Sequence, residues 1–118
     1  RYNFYNNFFM SKKTEILERL SALLIERKNY AEDNSYTNQL YNGGNVKILE
    51  KIKEEASELI EAGSIEKVIK KEIVHEAADL WFHTMVLLAF NEINPLEILN
   101  ELERREGVSG IEEKSRRS

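Results

Sequence analysis

Two acidic clusters carry the residues best suited to chemistry: Glu54, Glu55 and Glu58 in one, Glu76 and Asp79 in the other, with His83 one turn further on. In a helix Glu55 and Glu58 are i,i+3 neighbours and Glu54 and Glu58 are i,i+4, so three carboxylates crowd one edge. Like charges at these spacings destabilise an isolated helix by about a few tenths of a kcal/mol per pair. A solvated acidic face relieved by Lys47, Lys51 and Lys53 would explain the first cluster taken alone. The second cluster changes that balance. Between residues 68 and 90 apolar side chains fall on every side, which is the pattern of a buried helix. Yet Glu72, Glu76, Asp79 and His83 project within roughly 60° of one another. Unpaired buried carboxylates are costly, and this helix has no lysine after Lys71. One divalent cation compensates several oxygens at once. All-oxygen ligands favour Mg²⁺ or Mn²⁺ over zinc, and Mg²⁺ binds together with substrate phosphates. The residues therefore point to a hard-metal site suited to a polyphosphate.

Two other metal patterns fail. His75-Glu76-Ala77-Ala78-Asp79 resembles a zincin motif, but Asp79 stands where the second histidine ligand is required. Glu72-x-x-His75 is half of a di-iron bundle signature, and no second Glu-x-x-His occurs. His83 reads as a donor to a carboxylate or as a core histidine. Trp81 and Phe82 read as core or dimer interface.

The elements that must position these groups are helical. Ile16, Leu17, Leu20, Leu23 and Leu24 predict a first helix over residues 14–28. Residues 29–46 are polar, with Asp33-Asn34-Ser35 and Gly43-Gly44 as turn material, and read as a long loop. Asn45 caps a second helix that runs to about Ala62 and stops at Gly63. Its Ile48, Ile52, Ala56, Leu59 and Ile60 share an arc of roughly 120°. Ser64 caps a third helix from Ile65 to about Glu92. Asn94 as cap, Pro95 at N1 and Glu97 at N3 open a fourth, which ends at Gly107. Residues 108–118 are charged and have no packing face. Residues 1–9 precede a start-like Met10-Ser11-Lys12-Lys13 and are set aside as an upstream extension, leaving residues 10–118 as one domain.

Composition agrees. Of 118 residues 42% are apolar and 32% charged, with no cysteine, one proline and five glycines. Little turn material argues against a β fold, and the lack of thiols suits a reducing cytoplasm. Seventeen basic against 21 acidic residues give a net charge of −4, which offers no nucleic-acid footprint. The longest uncharged run, residues 80–91, is too short to span a membrane. A third helix apolar all round needs more cover than one chain supplies, so a homodimer is expected, two helical hairpins pairing into a four-helix core.

The carboxylate pattern resembles the all-α nucleotide pyrophosphohydrolases, the group of MazG-type enzymes and dimeric dUTPases. The flanking residues are similar to the phosphoribosyl-ATP pyrophosphatases within it. The resemblance is carried by Ser35-Tyr36-Thr37, Lys47-Ile48-Leu49-x-Lys51-Ile52-x-Glu54-Glu55-Ala56-x-Glu58 and Glu76-Ala77-Ala78-Asp79-Leu80-x-x-His83. Val86-Leu87-Leu88-Ala89, Glu101-Leu102-Glu103-Arg104-Arg105 and Ser109-Gly110-Ile111-Glu112-Glu113-Lys114 extend it from about residue 14 to 117. Lys53 departs from it, standing where the family often has glycine.

The resemblance implies hydrolysis of 1-(5-phospho-β-D-ribosyl)-ATP to the AMP derivative and pyrophosphate, in histidine biosynthesis. It implies Mg²⁺, with Mn²⁺ as the alternative, held by Glu55, Glu58, Glu76 and Asp79. Water activated there, or by a carboxylate such as Glu54, would attack the α–β linkage. Tyr36 and Thr37 would reach substrate from the long loop, and Lys47 and Lys51 would meet phosphates unless they only pair with the glutamates. Arg104 and Arg105 would reach phosphates across a dimer interface, although placement in a last helical turn also suits them. A house-cleaning nucleoside triphosphate pyrophosphohydrolase with the same metal chemistry is the nearest alternative. A non-enzymatic helical dimer that binds a metal or a partner protein is the more distant one.

Overall fold

The computed structural model describes residues 15–29 and 35–107. The extension at residues 1–9, the Asp33-Asn34 turn and the charged tail therefore lie outside the described residues. Four helices follow in order: α1 (Ile16–Asn29), α2 (Tyr36–Gly63), α3 (Lys70–Phe90) and α4 (Glu97–Arg105). No strand occurs among the described residues, so the chain is all-α as its periodicity predicts.

The loop expected over residues 29–46 is largely helix. Ser35 starts α2 from an extended backbone, its Oγ accepting the Asn38 N–H at 3.2 Å. Residues 36–43 are helical because Thr37, Leu40 and Tyr41 recur at helical spacing and turn inward. Thr37 and Leu40 are buried. Tyr41 stacks on Phe90 at 5.8 Å between ring centroids and donates to the Leu24 carbonyl at 2.8 Å. The glycine pair is a kink, with Gly44 at φ 70° and ψ −168°, a conformation essentially restricted to glycine. Asn45, expected as a cap, sends its side chain elsewhere. It exchanges amide hydrogen bonds with Asn91 at 3.1 and 2.9 Å, tying the kink to the end of α3. A straight helix would hold residues 36 and 51 about 22 Å apart. The Tyr36 hydroxyl instead meets His83 of α3 at 2.8 Å, where the charges of Lys51 and Glu55 act on it, so residues 36–43 fold back along the rest of α2.

Beyond the kink, α2 and α3 run antiparallel. Ser64, expected to open the third helix, closes the second. Its N–H reaches the Glu61 carbonyl at 3.1 Å and its Oγ donates to the Ile60 carbonyl at 2.6 Å. With that hydroxyl spent backwards, residues 64–69 stay non-helical and α3 begins at Lys70, five residues later than expected, with no side-chain cap. It ends at Phe90 rather than Glu92, where Lys28 contacts the Phe90 carbonyl and lies 5.2 Å from its ring centroid. Asn94 does organise the approach to α4, accepting from the Leu96 N–H at 2.9 Å and from Ser21 Oγ at 3.0 Å. The capping box is not made, because the Glu97 carboxylate takes the Asn100 amide at 2.6 Å. Helix α4 accordingly starts at Glu97.

The core comes from three helices: Leu24 of α1, Leu40 and Ile48 of α2, and Met85, Val86 and Ala89 of α3. It does not cover α3 all round. Val74 and Trp81 stand 57% and 63% exposed, and Ile60, expected in the buried arc of α2, is 68% exposed. The expectation of a buried helix is thus met on one side only within a single chain. Helix α3 is also long and apolar enough, at a mean hydropathy of 1.2, to cross a membrane on length and composition alone. Its Glu76, Asp79 and His83 nevertheless meet α2 side chains, the disposition of a core helix.

Candidate metal centre

The antiparallel pairing of α2 with α3 brings the two acidic clusters together. Glu55 and Glu58 lie one turn apart on α2, and Glu76 and Asp79 one turn apart on α3. Each of the four offers a carboxylate oxygen, and these atoms all lie within 4.8 Å of one another. Glu55 is buried, the other three half-buried. Glu55 Oε2 and Glu76 Oε2 are sealed from solvent with no hydrogen-bond partner. A buried oxygen in that condition requires a proton or a cation.

The local electrostatics carry the same message. Burial, reinforced by the adjoining Glu58 carboxyl and by the charge of Asp79, pushes the Glu55 carboxyl up to about 7, while Lys51 opposes the shift. Glu76 is pushed up by burial and by its contact with Glu58. Lys51 is the nearest cation to the set, 4.0 Å from Glu55 Oε1, and it is shared with Glu54 at 3.3 Å. One shared ammonium cannot neutralise four carboxylates. Hard oxygen donors on two facing helices, two of their oxygens orphaned, fit a divalent cation of the Mg²⁺ or Mn²⁺ type. His75 stands at the outer edge, exposed, with Nε2 3.3 Å from Asp79 Oδ2. It shares Glu76 and Asp79 with the carboxylate set and so forms no separate centre.

The other candidates take different positions. Glu54 lies outside the converging set, exposed and paired with Lys51. Tyr36 is half-exposed beside the centre, whereas Thr37 is buried in the fold-back of α2 and does not face outward as a loop residue would. Lys47 is exposed and packs over Gly43, where a Cβ would meet the lysine Cβ at 2.5 Å. Arg104 and Arg105 both grip Glu101, at 2.7 and 2.8 Å, and these hydrogen bonds hold its carboxyl down at about 2. His83 donates to no carboxylate. It is buried between the Asp79 carbonyl, 2.7 Å from Nδ1, and the Tyr36 hydroxyl, 2.8 Å from Nε2. The tie from Tyr36 to His83 was hidden in the sequence, because only the kink at Gly44 brings the two together.

An all-helical chain whose central antiparallel pair gathers four carboxylates has the architecture of the all-α nucleotide pyrophosphohydrolases. Comparison with known proteins narrows this class. A family model described as phosphoribosyl-ATP pyrophosphohydrolase matches residues 17–106. The phosphoribosyl-ATP pyrophosphatase of Ruthia magnifica is 47% identical over 104 residues, covering 88% of this chain and 97% of its own length. That of Vesicomyosocius okutanii is 49% identical over 107 residues, with the same coverage of 88% and 97%. That of Geobacter metallireducens is 47% identical over 108 residues, covering 92% of this chain and 97% of its own. The chain belongs to the phosphoribosyl-ATP pyrophosphohydrolase family, and it is a hydrolase.

Proposed function

We propose that this chain hydrolyses 1-(5-phospho-β-D-ribosyl)-ATP to the corresponding AMP derivative and pyrophosphate, the second step of histidine biosynthesis, in the cytoplasm and with Mg²⁺. The observation that carries the reading is the set Glu55, Glu58, Glu76 and Asp79, converging with two buried, unpartnered oxygens in a chain of this family. These four residues would hold the ion. Bound there, it would supply charge neutralisation for the triphosphate and for the departing pyrophosphate.

The side chains account for the remainder. Two facing helices fix the carboxylates in advance, so little reorganisation is needed when substrate arrives. Lys51, at the rim of the centre, offers a positive charge to the phosphates, and exposed Lys47 one helical turn earlier offers a second. An oxygen of water bonds to the α-phosphorus while the bridging α–β P–O bond breaks. Pyrophosphate leaves with the electron pair, and the proton of the water passes to a carboxylate, for which exposed Glu54 is available. Tyr36 lies beside this rim. Arg104 and Arg105 would reach phosphates across the proposed dimer interface by exchanging Glu101 for them.

We also place the enzyme in a homodimer. Trp81 of α3 with Leu99 and Leu102 of α4 line one exposed apolar face, and exposed Val74 lies two turns before Trp81 on α3; a second copy would cover them. The test of the metal reading is pyrophosphate release with Mg²⁺ and with chelator, from the wild type and from Glu55→Gln. Release that needs both the ion and Glu55 supports it. Release undiminished in chelator contradicts it.

A further inference from the structure

His75 brings a nitrogen donor to the edge of the carboxylate centre. It lies one turn before Asp79 on α3, and i,i+4 spacing puts both side chains on one side of the helix. Its Nε2 stands 3.3 Å from Asp79 Oδ2. The ligand atoms of His75, Glu76 and Asp79 all lie within 4.8 Å of one another, and Glu76 and Asp79 also belong to the set with Glu55 and Glu58. The imidazole thus extends that set along its exposed edge. The chain has two histidines, and the other, His83, has both ring nitrogens engaged, with the Asp79 carbonyl and the Tyr36 hydroxyl. We propose that His75 is a nitrogen ligand of this centre, and that with Glu76 and Asp79 it lets the outer edge take a first-row transition ion in place of Mg²⁺; this rests on the metal reading above.

A shared ion accounts for the spacing. Two donors bound to one cation at about 2.1 Å lie about 3.0–3.4 Å apart, from octahedral to tetrahedral angles. The 3.3 Å between Nε2 and Oδ2 falls in that range. A shared ion also serves an oxygen that pairing alone leaves unserved. Glu76 Oε2, a member of both groups, is sealed from solvent without a hydrogen-bond partner, as is Oε2 of Glu55, a residue only 7% exposed. A hydrogen bond from His75 to Asp79 compensates neither oxygen, and a pair with its imidazole 69% exposed is screened by water. Donor chemistry then sets the choice of ion. Mg²⁺ takes oxygen ligands in near-ideal octahedra, whereas imidazole suits the later first-row ions such as Zn²⁺ and Co²⁺. The exposure of His75 leaves its ring open to an ion arriving from solvent.

The test is metal binding by the purified full chain, read by spectroscopy and equilibrium dialysis rather than by turnover. Electron spin-echo spectra of bound Mn²⁺ should show coupling to an imidazole nitrogen. His75→Gln should lose that coupling with the fold intact by circular dichroism. Glu76→Gln should lose it as well, because the two side chains share the ion. In dialysis His75→Gln should raise the Kd for Co²⁺ by about tenfold to 100-fold and leave that for Mg²⁺ within about twofold. A His75 that merely pairs with Asp79 would give no nitrogen coupling in the wild type, and its loss would shift both ions alike. Either result overturns the proposal, as does a coupling that survives in Glu76→Gln. A wild type that binds Mg²⁺ and releases pyrophosphate, yet shows no coupling, overturns this proposal alone. Nitrogen coupling in a protein that releases no pyrophosphate from phosphoribosyl-ATP overturns the proposed function and keeps His75 as a ligand. A wild type that binds none of the three ions overturns both.

Discussion

Glu55 is the residue on which most of the account turns. Its carboxyl is buried among Glu58, Glu76 and Asp79, so in the metal-free protein it keeps its proton up to about pH 7. An unfolded glutamate loses its proton near 4.5. Between those two values the folded form binds more protons than the unfolded one, and stability therefore falls as pH rises through this window. Thermal melts in chelator should show a melting temperature that declines from about pH 5 to pH 7.5, and Mg²⁺ should flatten that decline. Glu55→Gln removes the buried charge. At pH 7.5 in chelator it should stabilise the fold by about 1–3 kcal/mol while cutting turnover about 100-fold or more. Asp79→Asn should cut turnover on the same scale, as measured by pyrophosphate release, with the fold intact by circular dichroism. The carboxylates were legible in the sequence because helical spacing alone puts each pair on one face, and because a stripe of acid on an apolar helix demands compensation. The partners of His83 were not legible, since one is a backbone carbonyl and the other comes from a segment that reads as loop.

At the scale of the element, α2 is the helix that departs most from its sequence pattern. Gly43-Gly44-Asn45 has turn composition, and Ser35 and Asn45 are equally good caps by residue type. What decides between them is tertiary: Thr37 and Leu40 are buried, Leu40 in the core with Leu24 of α1 and Val86 of α3, and Asn45 has a partner in Asn91. The non-helical turn shrinks to one residue, Gly44. Gly44→Ala should destabilise the protein by about 1–3 kcal/mol in urea unfolding, because a side chain is strained at φ 70° and ψ −168°. It should also weaken substrate binding by displacing Tyr36 from His83 and from the rim of the centre. A variant that is destabilised but keeps its KM would separate the kink from the site. The start of α3 was misread for a similar reason, because Ser64 can cap in either direction and only the finished α2 shows that its hydroxyl turns back to Ile60. The long, strongly periodic parts of α1, α2 and α3 were legible, since their core positions Leu24, Ile48 and Met85 recur at helical spacing in the bare sequence.

For the whole molecule, the sequence called for more apolar cover than one chain has, and the single chain indeed leaves Trp81, Val74 and Leu102 more than half exposed. The proposed homodimer would bury Trp81. Sedimentation should then give twice the 13.8 kDa chain mass, and Trp81→Glu should shift the protein toward monomer. A wild type that sediments as a monomer would contradict the dimer and leave the carboxylate centre untouched. Family membership follows from similarity along most of the chain, whereas choice of substrate depends on the particular groups around the centre. The most direct measurement is therefore pyrophosphate release with Mg²⁺ from phosphoribosyl-ATP set beside ATP, dCTP and dUTP. Strong release from phosphoribosyl-ATP alone, lost in chelator, is the expected result. Release mainly from the ordinary nucleotides would contradict it and make the protein a house-cleaning pyrophosphohydrolase built on the same four carboxylates.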